Sequence, residues 1–290
     1  MVMMQVIDNK ITLQKEISDW KALGLRIGFV PTMGALHAGH LALVEKARRE
    51  NDKVVVSIFV NPTQFNNPED LKNYPRTLDS DLKLLEPIGA DLVFAPSVNE
   101  MYPEGHMPEV PGIDLGTLDK VMEASHRPGH FQGVMQVVAN LFRVVQPDVA
   151  YFGEKDFQQL AVIRTMTRQL NLPVSIIGCP TVRENDGLAM SSRNTLLSPE
   201  ERKEATTISK ALFYIRDNWQ SKPVDLLISH AISMIEKNGI MKVEYVSAAD
   251  SDTLEPVKEW SDTTSIRVCT AVRLGKVRLI DNIGIITTKA

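Results

Sequence analysis

One segment near the N-terminus, residues 25–48, constrains the fold of this chain more than any other. An apolar run there predicts a buried strand that ends at Pro31, and an apolar stripe with helical spacing predicts a helix from Leu41 onward. The intervening loop contains Gly34 and Gly39, which would allow a close approach by a backbone or a ligand. The segment therefore predicts a strand, a tight loop and a helix start.

Two histidines, His37 and His40, lie three residues apart at the predicted helix start. A helix N-terminus has unpaired N–H groups and a partial positive charge that favour phosphate, and each imidazole can donate a further hydrogen bond. A helix cap and half of a zinc site are the alternatives. Zinc is less favoured, because the other histidines are scattered and the cysteines lie far away. The G-x-G-x-x-G spacing of dinucleotide-binding folds is absent after this strand.

Composition narrows the class of partner. The chain has 290 residues, 43% of them apolar, and a formal net charge of −4 without a block of like charges. This balance favours small-molecule partners over nucleic acid. No run approaches the roughly 20 apolar residues of a membrane span, so we expect a cytoplasmic protein without a membrane partner. Cys179 and Cys269 lie in apolar, strand-like segments and are predicted to be reduced core residues.

The alternation of predicted elements indicates the fold class. Strands and helices alternate through residue 180, which is typical of a doubly wound parallel sheet. Runs of helix and then of strand follow, which predicts a smaller α+β domain. We therefore expect an α/β domain over residues 1–180 and a C-terminal α+β domain over residues 181–290. The predicted parallel strands are residues 27–30, 53–60, 91–96, 148–152 and 174–179.

Polar clusters follow several of these strands, where open α/β sheets bind ligands. Asn61 and Gln64 are candidates for ligand hydrogen bonds, and a capped turn is the alternative. Lys155 could neutralise phosphate with Asp156 beside it, although a solvated surface ion pair is equally compatible. Residues 191–193 combine two hydroxyls with a guanidinium, which suits an anion, unless they only end a turn.

Six segments together resemble the pantothenate synthetase family, the pantoate–β-alanine ligases. They occur in the family's order and span the N-terminal two thirds of the chain, whereas the C-terminal third is similar mainly in length and general pattern. The segments are PTMGALHAGH (31–40), VNPTQF (60–65), YPRT (74–77), RPGHF (127–131), FGEKDFQQ (152–159) and DGLAMSSRN (186–194).

The resemblance implies a Rossmann-like nucleotidyltransferase domain that binds ATP and pantoate, and a C-terminal lid domain. It also implies a homodimer and magnesium as a cofactor with ATP. In the implied reaction, pantoate and ATP form pantoyl adenylate and pyrophosphate, and the β-alanine amine then displaces AMP to give pantothenate.

The resemblance also assigns site residues. The implied catalytic residues are His37, His40 and Lys155. The implied ATP-binding residues are Met33, His37, His40, Gly153, Lys155, Asp156, Val182, Met190, Ser191, Ser192 and Arg193. Pantoate is assigned to Gln64, Gln159 and Asn61, and Tyr74 and Arg127 are further candidates. The family often has a pair of acids as a magnesium element, where this chain has Asp79-Ser80-Asp81, so Asp81 is the candidate metal ligand.

Two other functions are compatible with the H-x-G-H loop. One is a nucleotidyltransferase of the same superfold with a phosphorylated acceptor, which would not need paired glutamines for a carboxylic acid. The other is a nucleotide-sensing module without turnover. Pantoate-dependent release of pyrophosphate from ATP would distinguish the three.

Overall fold

The computed structural model describes residues 4–103, 110 and 112–287. The chain divides into two compact units. The first comprises the described residues of Met1–Leu115, Arg127–Glu154 and Gln159–Pro180. The second comprises those of Gly116–His126, Lys155–Gln158 and Thr181–Ala290. The predicted domain boundary at residue 180 differs from this division, because it assigns the short segments 116–126 and 155–158 to the first domain.

Strands and helices alternate through the first part of the described chain. The strands are β1 Gln5–Ile7, β2 Ile27–Thr32, β3 Lys53–Ile58, β4 Leu92–Phe94, β5 Val149–Gly153, β6 Ser175–Cys179, β7 Met241–Asp250, β8 Ser265–Leu274 and β9 Val277–Ile286. The helices are α1 Lys10–Ala22, α2 Ala38–Glu50, α3 Pro68–Asn73, α4 Leu78–Leu85, α5 Val98–Met101, α6 Glu123–His126, α7 His130–Val145, α8 Phe157–Gln169, α9 Pro199–Asn218 and α10 Val224–Glu236.

The first unit is built on a parallel sheet with the order β1-β4-β3-β2-β5-β6. The chain proceeds from β2 to β3 and β4 on one side, and then returns to place β5 and β6 on the other. The order therefore reverses between β2 and β5, and a crevice forms at the carboxyl ends of strands at such a point. This architecture confirms the predicted doubly wound, Rossmann-like fold.

Apolar strand residues explain the core of the first unit. Val54, Val55 and Val56 of β3 are fully buried, as expected for a strand covered on both faces. Leu43, Val44 and Ala47 of α2 pack in a core cluster with residues of β2, β3 and β5. The carboxyl end of β2 and the start of α2 are thus held in one packed layer.

Two predictions about this sheet were wrong in detail. Strand β1 was not predicted, because it has only three residues at the sheet edge and buries only Ile7. Pro31 does not end β2, which continues to Thr32. The ladder with β5 covers only Gly28 and Phe29, so at Pro31 the strand is paired on one side, where a missing N–H is tolerated.

The long connection over residues 97–130 contains the short helices α5 and α6 and a 3-10 turn at Gly116–Asp119. Residues 104–109 and 111 of this connection lie outside the described part of the chain.

The second unit contains an antiparallel sheet with the order β7-β8-β9. Helices α9 and α10 contribute Leu212 and Leu227 to an apolar cluster that also contains Val268 and Leu279 of the sheet. The α+β pattern predicted for this region is confirmed. Helix α9 begins with a capping box that is formed by Ser198 and Glu201. Among the described residues, no helix combines the length and apolar character needed to cross a bilayer.

Candidate active site

The loop between β2 and α2 has an unusual backbone that a buried carboxylate holds in place. Gly34 and Ala35 both have positive φ, +80° and +50°. Asp81 of α4 is 1% exposed and accepts hydrogen bonds from the backbone N–H groups of Ala35 (3.0 Å) and Leu36 (2.8 Å). The Thr77 hydroxyl donates to the same carboxylate at 3.2 Å. Asp81 therefore positions the loop that leads into α2.

This arrangement argues against Asp81 as a magnesium ligand. Each of its carboxylate oxygens accepts a loop N–H, and the side chain is buried. The described residues contain no group of three or more His, Cys, Asp or Glu side chains that could hold a metal ion. The glycine before Ala35 also serves this packing, since a Cβ at Gly34 would lie 3.1 Å from the Asp81 Oδ2 atom. The residues present therefore fit a loop anchor and not a metal site.

His37 and His40 form the cap of α2, and this geometry determines which ring nitrogens can donate. The His37 Nδ1 atom accepts from the Gly39 N–H at 3.1 Å, and the His40 Nδ1 atom accepts from the His37 N–H at 3.3 Å. The ring centroids lie 4.1 Å apart. Because an accepting Nδ1 has no proton, the hydrogen-bond pattern assigns the proton of each neutral ring to Nε2. Capping and phosphate binding are therefore compatible roles.

Asn61 is part of the turn that follows β3. The side chain is 1% exposed, and its Oδ1 atom accepts from the Thr63 N–H (3.3 Å) and the Tyr102 hydroxyl (2.9 Å). Its amide donates to the Gly133 carbonyl at 3.2 Å and to the Gln64 Oε1 atom at 3.3 Å. These contacts give Asn61 the capping role considered as the alternative, and they position Gln64.

Gln64 brings together several of the predicted site residues of the first unit. Its amide Nε2 lies 2.8 Å from the Met33 sulfur. Its backbone carbonyl accepts from His130 Nδ1 at 2.9 Å and from the Arg127 guanidinium at 3.3 Å. Gly133 is required here, because a Cβ would lie 2.5 Å from the Thr63 carbonyl oxygen. Arg127 and His130 thus order the turn that contains Gln64, and Met33 lies beside it.

The remaining candidates of the first unit are placed less tightly. Tyr74 is buried and packs edge-to-face on Phe65, with ring centroids 5.6 Å apart. Gln159 is half-buried in the first turn of α8. Gly153 ends β5 at the switch point of the sheet, and a Cβ built on it would meet no atom of the described residues within 4 Å other than those of its chain neighbours. Among the described residues, no side chain therefore packs against this strand end at the Cβ position.

In the second unit, Lys155 belongs to a 3-10 turn formed by Glu154–Asp156. Its ammonium lies 3.8 Å from the Asp156 carboxylate, and its side chain is 18% exposed. The backbone carbonyl of Lys155 accepts from the Asn282 amide at 2.8 Å. Asp156 therefore forms an ion pair with Lys155, and Asn282 of β9 holds the turn itself.

Val182 and Met190 face each other across a short hairpin. The Met190 N–H donates to the Val182 carbonyl at 3.0 Å, and Arg183 and Ala189 form a β-bridge between them. The next residue, Ser191, caps a 3-10 turn that includes Ser192 and Arg193, because its Oγ atom accepts from the Arg193 N–H at 3.2 Å. The structure thus places five of the predicted ATP-binding residues in one continuous segment.

Sequence reasoning did not identify several residues that hold these segments. Gln158, next to Gln159, is 4% exposed, and its side chain bonds to Leu118, Val121 and Glu123. Asp281 and Asn282 of β9 are also buried polar residues. Asp281 and Asn282 lie within the apolar run of β9. Their polar character within that run is the one sequence signal that could have identified them.

Neither cysteine is suited to covalent catalysis. Both are free and buried, as predicted. Burial raises the pKa of Cys179 to about 11 and that of Cys269 to about 12. A thiol with so high a pKa is protonated near neutral pH and is a poor nucleophile.

The chain is similar to known proteins over nearly its whole length. A family model described as pantoate-beta-alanine ligase matches residues 5–284. The pantothenate synthetase of Bacteroides fragilis is 51% identical over 280 residues, covering 97% of this chain and 98% of that protein. The pantoate–β-alanine ligase of Schizosaccharomyces pombe is 47% identical over 282 residues, covering 97% of this chain and 98% of that protein.

Solved structures show the same relationship. The pantothenate synthetase of Thermus thermophilus superposes with a TM-score of 0.87 at 45% identity, covering 97% of this chain and 99% of that one. The pantoate–β-alanine ligase of Francisella tularensis, solved in complex with β-γ ATP and β-alanine, superposes with a TM-score of 0.78 at 35% identity. The match covers 97% of each chain. Family model, relatives and structures agree, and the chain belongs to the pantoate–β-alanine ligase family of enzymes.

Proposed function

We propose that this enzyme joins pantoate to β-alanine in an ATP-dependent reaction and releases pantothenate, AMP and pyrophosphate, with pantoyl adenylate as a bound intermediate. The observation that supports it most is the histidine-capped N-terminus of α2, which begins at the carboxyl side of the switch point between β2 and β5. Such a crevice binds ligands, and a helix N-terminus favours phosphate.

In the first step, a pantoate carboxylate oxygen attacks the α-phosphorus of ATP. A phosphorus–oxygen bond forms, the bond to the bridging oxygen breaks, and pyrophosphate leaves with that electron pair. Such transfers depend on positioning and on stabilisation of the developing charge. The Nε2–H groups of His37 and His40 are donors for phosphate oxygens. Lys155, the hydroxyls of Ser191 and Ser192, and Arg193 supply further positive charge and donors.

Pantoate is proposed to lie against Gln64 and Gln159. A glutamine amide can donate to hydroxyl or carboxylate oxygens without a charge that would hold the attacking carboxylate too strongly. Met33 would form the apolar wall beside Gln64, and Asn61, Arg127 and Tyr74 would act by ordering this region. Gly153, Asp156, Val182 and Met190 are proposed to line the nucleotide.

In the second step, the β-alanine amine attacks the acyl carbon of the adenylate and the amide bond forms. The bond between the acyl carbon and the phosphate oxygen breaks, AMP leaves with that electron pair, and the proton of the amine passes to solvent. The buried, protonated cysteines give no thiolate for an acyl-enzyme, which favours a noncovalent adenylate.

Three further proposals depend on the family resemblance alone. Magnesium is proposed to arrive with the phosphates of ATP, whose charge it neutralises, and Asp81 does not serve as its ligand for the reasons given above. The enzyme is proposed to act as a homodimer in the cytoplasm, and sedimentation analysis of the purified protein tests the dimer.

The experiment that tests the function measures pyrophosphate release with ATP, magnesium and labelled pantoate, but without β-alanine. We expect about one equivalent of pyrophosphate per site, with label that stays on native enzyme, leaves on denaturation, and passes to pantothenate when β-alanine is added. Label that survives denaturation would contradict a noncovalent intermediate. Release that needs a different acceptor would support another nucleotidyltransferase, and ATP binding without release would support a sensing module.

A further inference from the structure

Two adjacent residues of β9, Asp281 and Asn282, are buried polar side chains in a unit whose core is otherwise largely apolar. They are 4% and 3% exposed. Adjacent residues of a strand point to opposite faces of the sheet, so this pair can reach two different parts of the unit. Each of them contacts a segment that contains proposed phosphate-binding residues.

Asp281 holds the hairpin that leads into Met190 and Ser191. Its carboxylate accepts two hydrogen bonds from the Arg183 guanidinium, at 2.7 and 2.9 Å. Arg183 also donates to the Gly187 carbonyl at 3.0 Å, and its backbone bridges to Ala189. A bidentate pair of this kind restricts orientation as well as distance. The hairpin is therefore fixed at its first strand and at its turn.

Asn282 holds the turn that contains Lys155. Its amide donates to the Lys155 carbonyl at 2.8 Å, and its Oδ1 atom accepts from the Arg267 guanidinium at 3.1 Å. The same guanidinium lies over the Phe157 ring, 4.0 Å from the centroid. The backbone of Lys155 is thus fixed directly, and Phe157 is fixed two residues later.

We propose that Asp281 and Asn282 are positioning residues for adenylate formation: side by side on one strand, they orient the Lys155 turn and the 190–193 segment relative to each other. The contacts of Asp281 and those of Asn282 are connected, because Arg183 also donates to the Asn282 backbone carbonyl at 3.1 Å. The inference depends on the proposed function, in which both segments bind the triphosphate of ATP.

Stability alone is a weak reason for such an arrangement. Burying a carboxylate and a guanidinium costs desolvation that their attraction only partly offsets, and apolar replacements of such pairs are often as stable. What a buried ionic pair does provide is a defined orientation of the groups that it joins. Phosphate-binding groups need that definition, since a displacement of about 1 Å can reduce a rate by about 10²-fold.

The test compares two variants with a matched control. Asn282→Asp keeps the acceptor for Arg267 but places a carboxylate oxygen against the Lys155 carbonyl. Asp281→Asn keeps the shape but removes the charge that pairs with Arg183. The control is Asp250→Asn, at the end of β7, where the carboxylate accepts from Thr253 and Thr263 without contacting either segment. For each, kcat, the KM values for ATP and pantoate, and the melting temperature are measured.

We expect the two β9 variants to lose about 10-fold to 10²-fold in kcat or in kcat/KM for ATP, with the KM for pantoate unchanged. The control should have a lower melting temperature and unchanged kinetic constants. If the β9 variants also show only a lower melting temperature, the positioning role is wrong. Should either variant fail to fold, the milder Asn282→Ala and Arg183→Lys are judged by the same criteria.

A calorimetric titration with a nonhydrolysable ATP analogue separates this inference from the proposed function. If the unmodified enzyme releases no pyrophosphate with pantoate, the proposed function fails whatever the variants do. Weaker binding of the analogue by the variants would then still support positioning. In that same case, equal binding of the analogue by the variants and the unmodified enzyme, or no binding by the unmodified enzyme, would overturn the positioning role.

Discussion

The two units hold their proposed phosphate-binding groups in different ways. In the first unit, the His40 ring accepts from the His37 N–H and the His37 ring accepts from the Gly39 N–H, all within the first turn of α2. In the second unit, Lys155 is held by Asn282, which lies 127 positions away, and the 183–189 hairpin is held by Asp281, 98 positions from Arg183.

The first arrangement is formed by residues close together in the sequence, and the second depends on tertiary contacts. A capped helix start is formed by neighbouring residues and needs few distant partners, although here Asp81 adds a contact from about 45 positions away. The Lys155 turn, in contrast, is held by a hydrogen bond from the distant Asn282 of β9. We therefore expect the histidine pair to tolerate changes elsewhere in the chain better than Lys155 does.

The largest effect is expected from removing one donor in each unit. His40→Ala and Lys155→Ala should each reduce adenylate formation by about 10²–10³, because a preorganised donor to developing charge is lost. Rapid-quench measurement of pyrophosphate checks this. Lys155→Ala should leave the melting temperature nearly unchanged, whereas His40→Ala also loses a cap and should cost about 1 kcal/mol.

A matched pair at His40 separates the two roles of its ring. Asparagine can place an acceptor near the Nδ1 position, so His40→Asn should keep the cap and lose the rate. Glutamine at this third helical position can form the same box through its amide oxygen and still carries an NH₂ donor, so His40→Gln should keep the cap and part of the rate. Full activity in His40→Asn would show that this histidine acts only as a cap.

A smaller effect is expected from changing Asp81, which holds the loop before α2 in the first unit. Asp81→Asn places an amide NH₂ against a loop N–H and should lower the free energy of unfolding by about 1–3 kcal/mol. The rate should fall as the loop before His37 relaxes, while the magnesium concentration for half-maximal activity stays the same. Asp79→Asn, on the same helix but exposed, is the control and should change neither property. A raised magnesium requirement in Asp81→Asn alone would restore the metal-ligand assignment.

The smallest effect is expected on the surface of the hairpin in the second unit. Arg202 donates to Asp186 at 2.8 Å, with side chains 28% and 44% exposed. Arg202→Gln should cost only about 0.2–1 kcal/mol, less at high salt, and leave kcat unchanged. A large loss of kcat would show that the hairpin is oriented from its surface and not from β9.

This pair also predicts a pH dependence. The hydrogen bond from Arg202 lowers the pKa of Asp186 below its ordinary value of 3.8. A lowered pKa in the folded state stabilises the protein above pH 3.8, and that contribution is lost as the pH falls through the lowered value. Urea unfolding should therefore show the difference between Arg202→Gln and the unmodified protein at pH 7, and a smaller difference below pH 3.8.

Much of the fold could be predicted from the sequence, because its strands and helices have strong local patterns. The strand at the β3 position and the apolar stripe of α2 both occur where predicted. Predictions were wrong where a neighbouring strand decides the outcome. The three residues of β1 form a strand only by pairing with β4, and Pro31 remains in β2 only because β5 does not pair with it there.

The candidate site shows the same division. The sequence indicated that His37, His40, Gln64 and Lys155 were chemically suited to a site, and family resemblance supplied Gln159. It also proposed Asp81 as a metal ligand and Asn61 as a pantoate ligand, whereas the structure engages the first with loop N–H groups and the second in a turn. A side chain's type shows what it can bind, but its burial and existing partners decide what it does bind.

By itself, the sequence determined the order of strands and helices, the glycine and histidine chemistry of the first loop, and the family. These properties depend on neighbouring residues or on short motifs, so a linear pattern contains them. Only the tertiary structure decided that Asp81 anchors a loop with positive φ and that Asp281 and Asn282 contact segments about 100 positions away. Such contacts depend on which faces of distant strands and helices meet, and that choice is made by packing of the whole core.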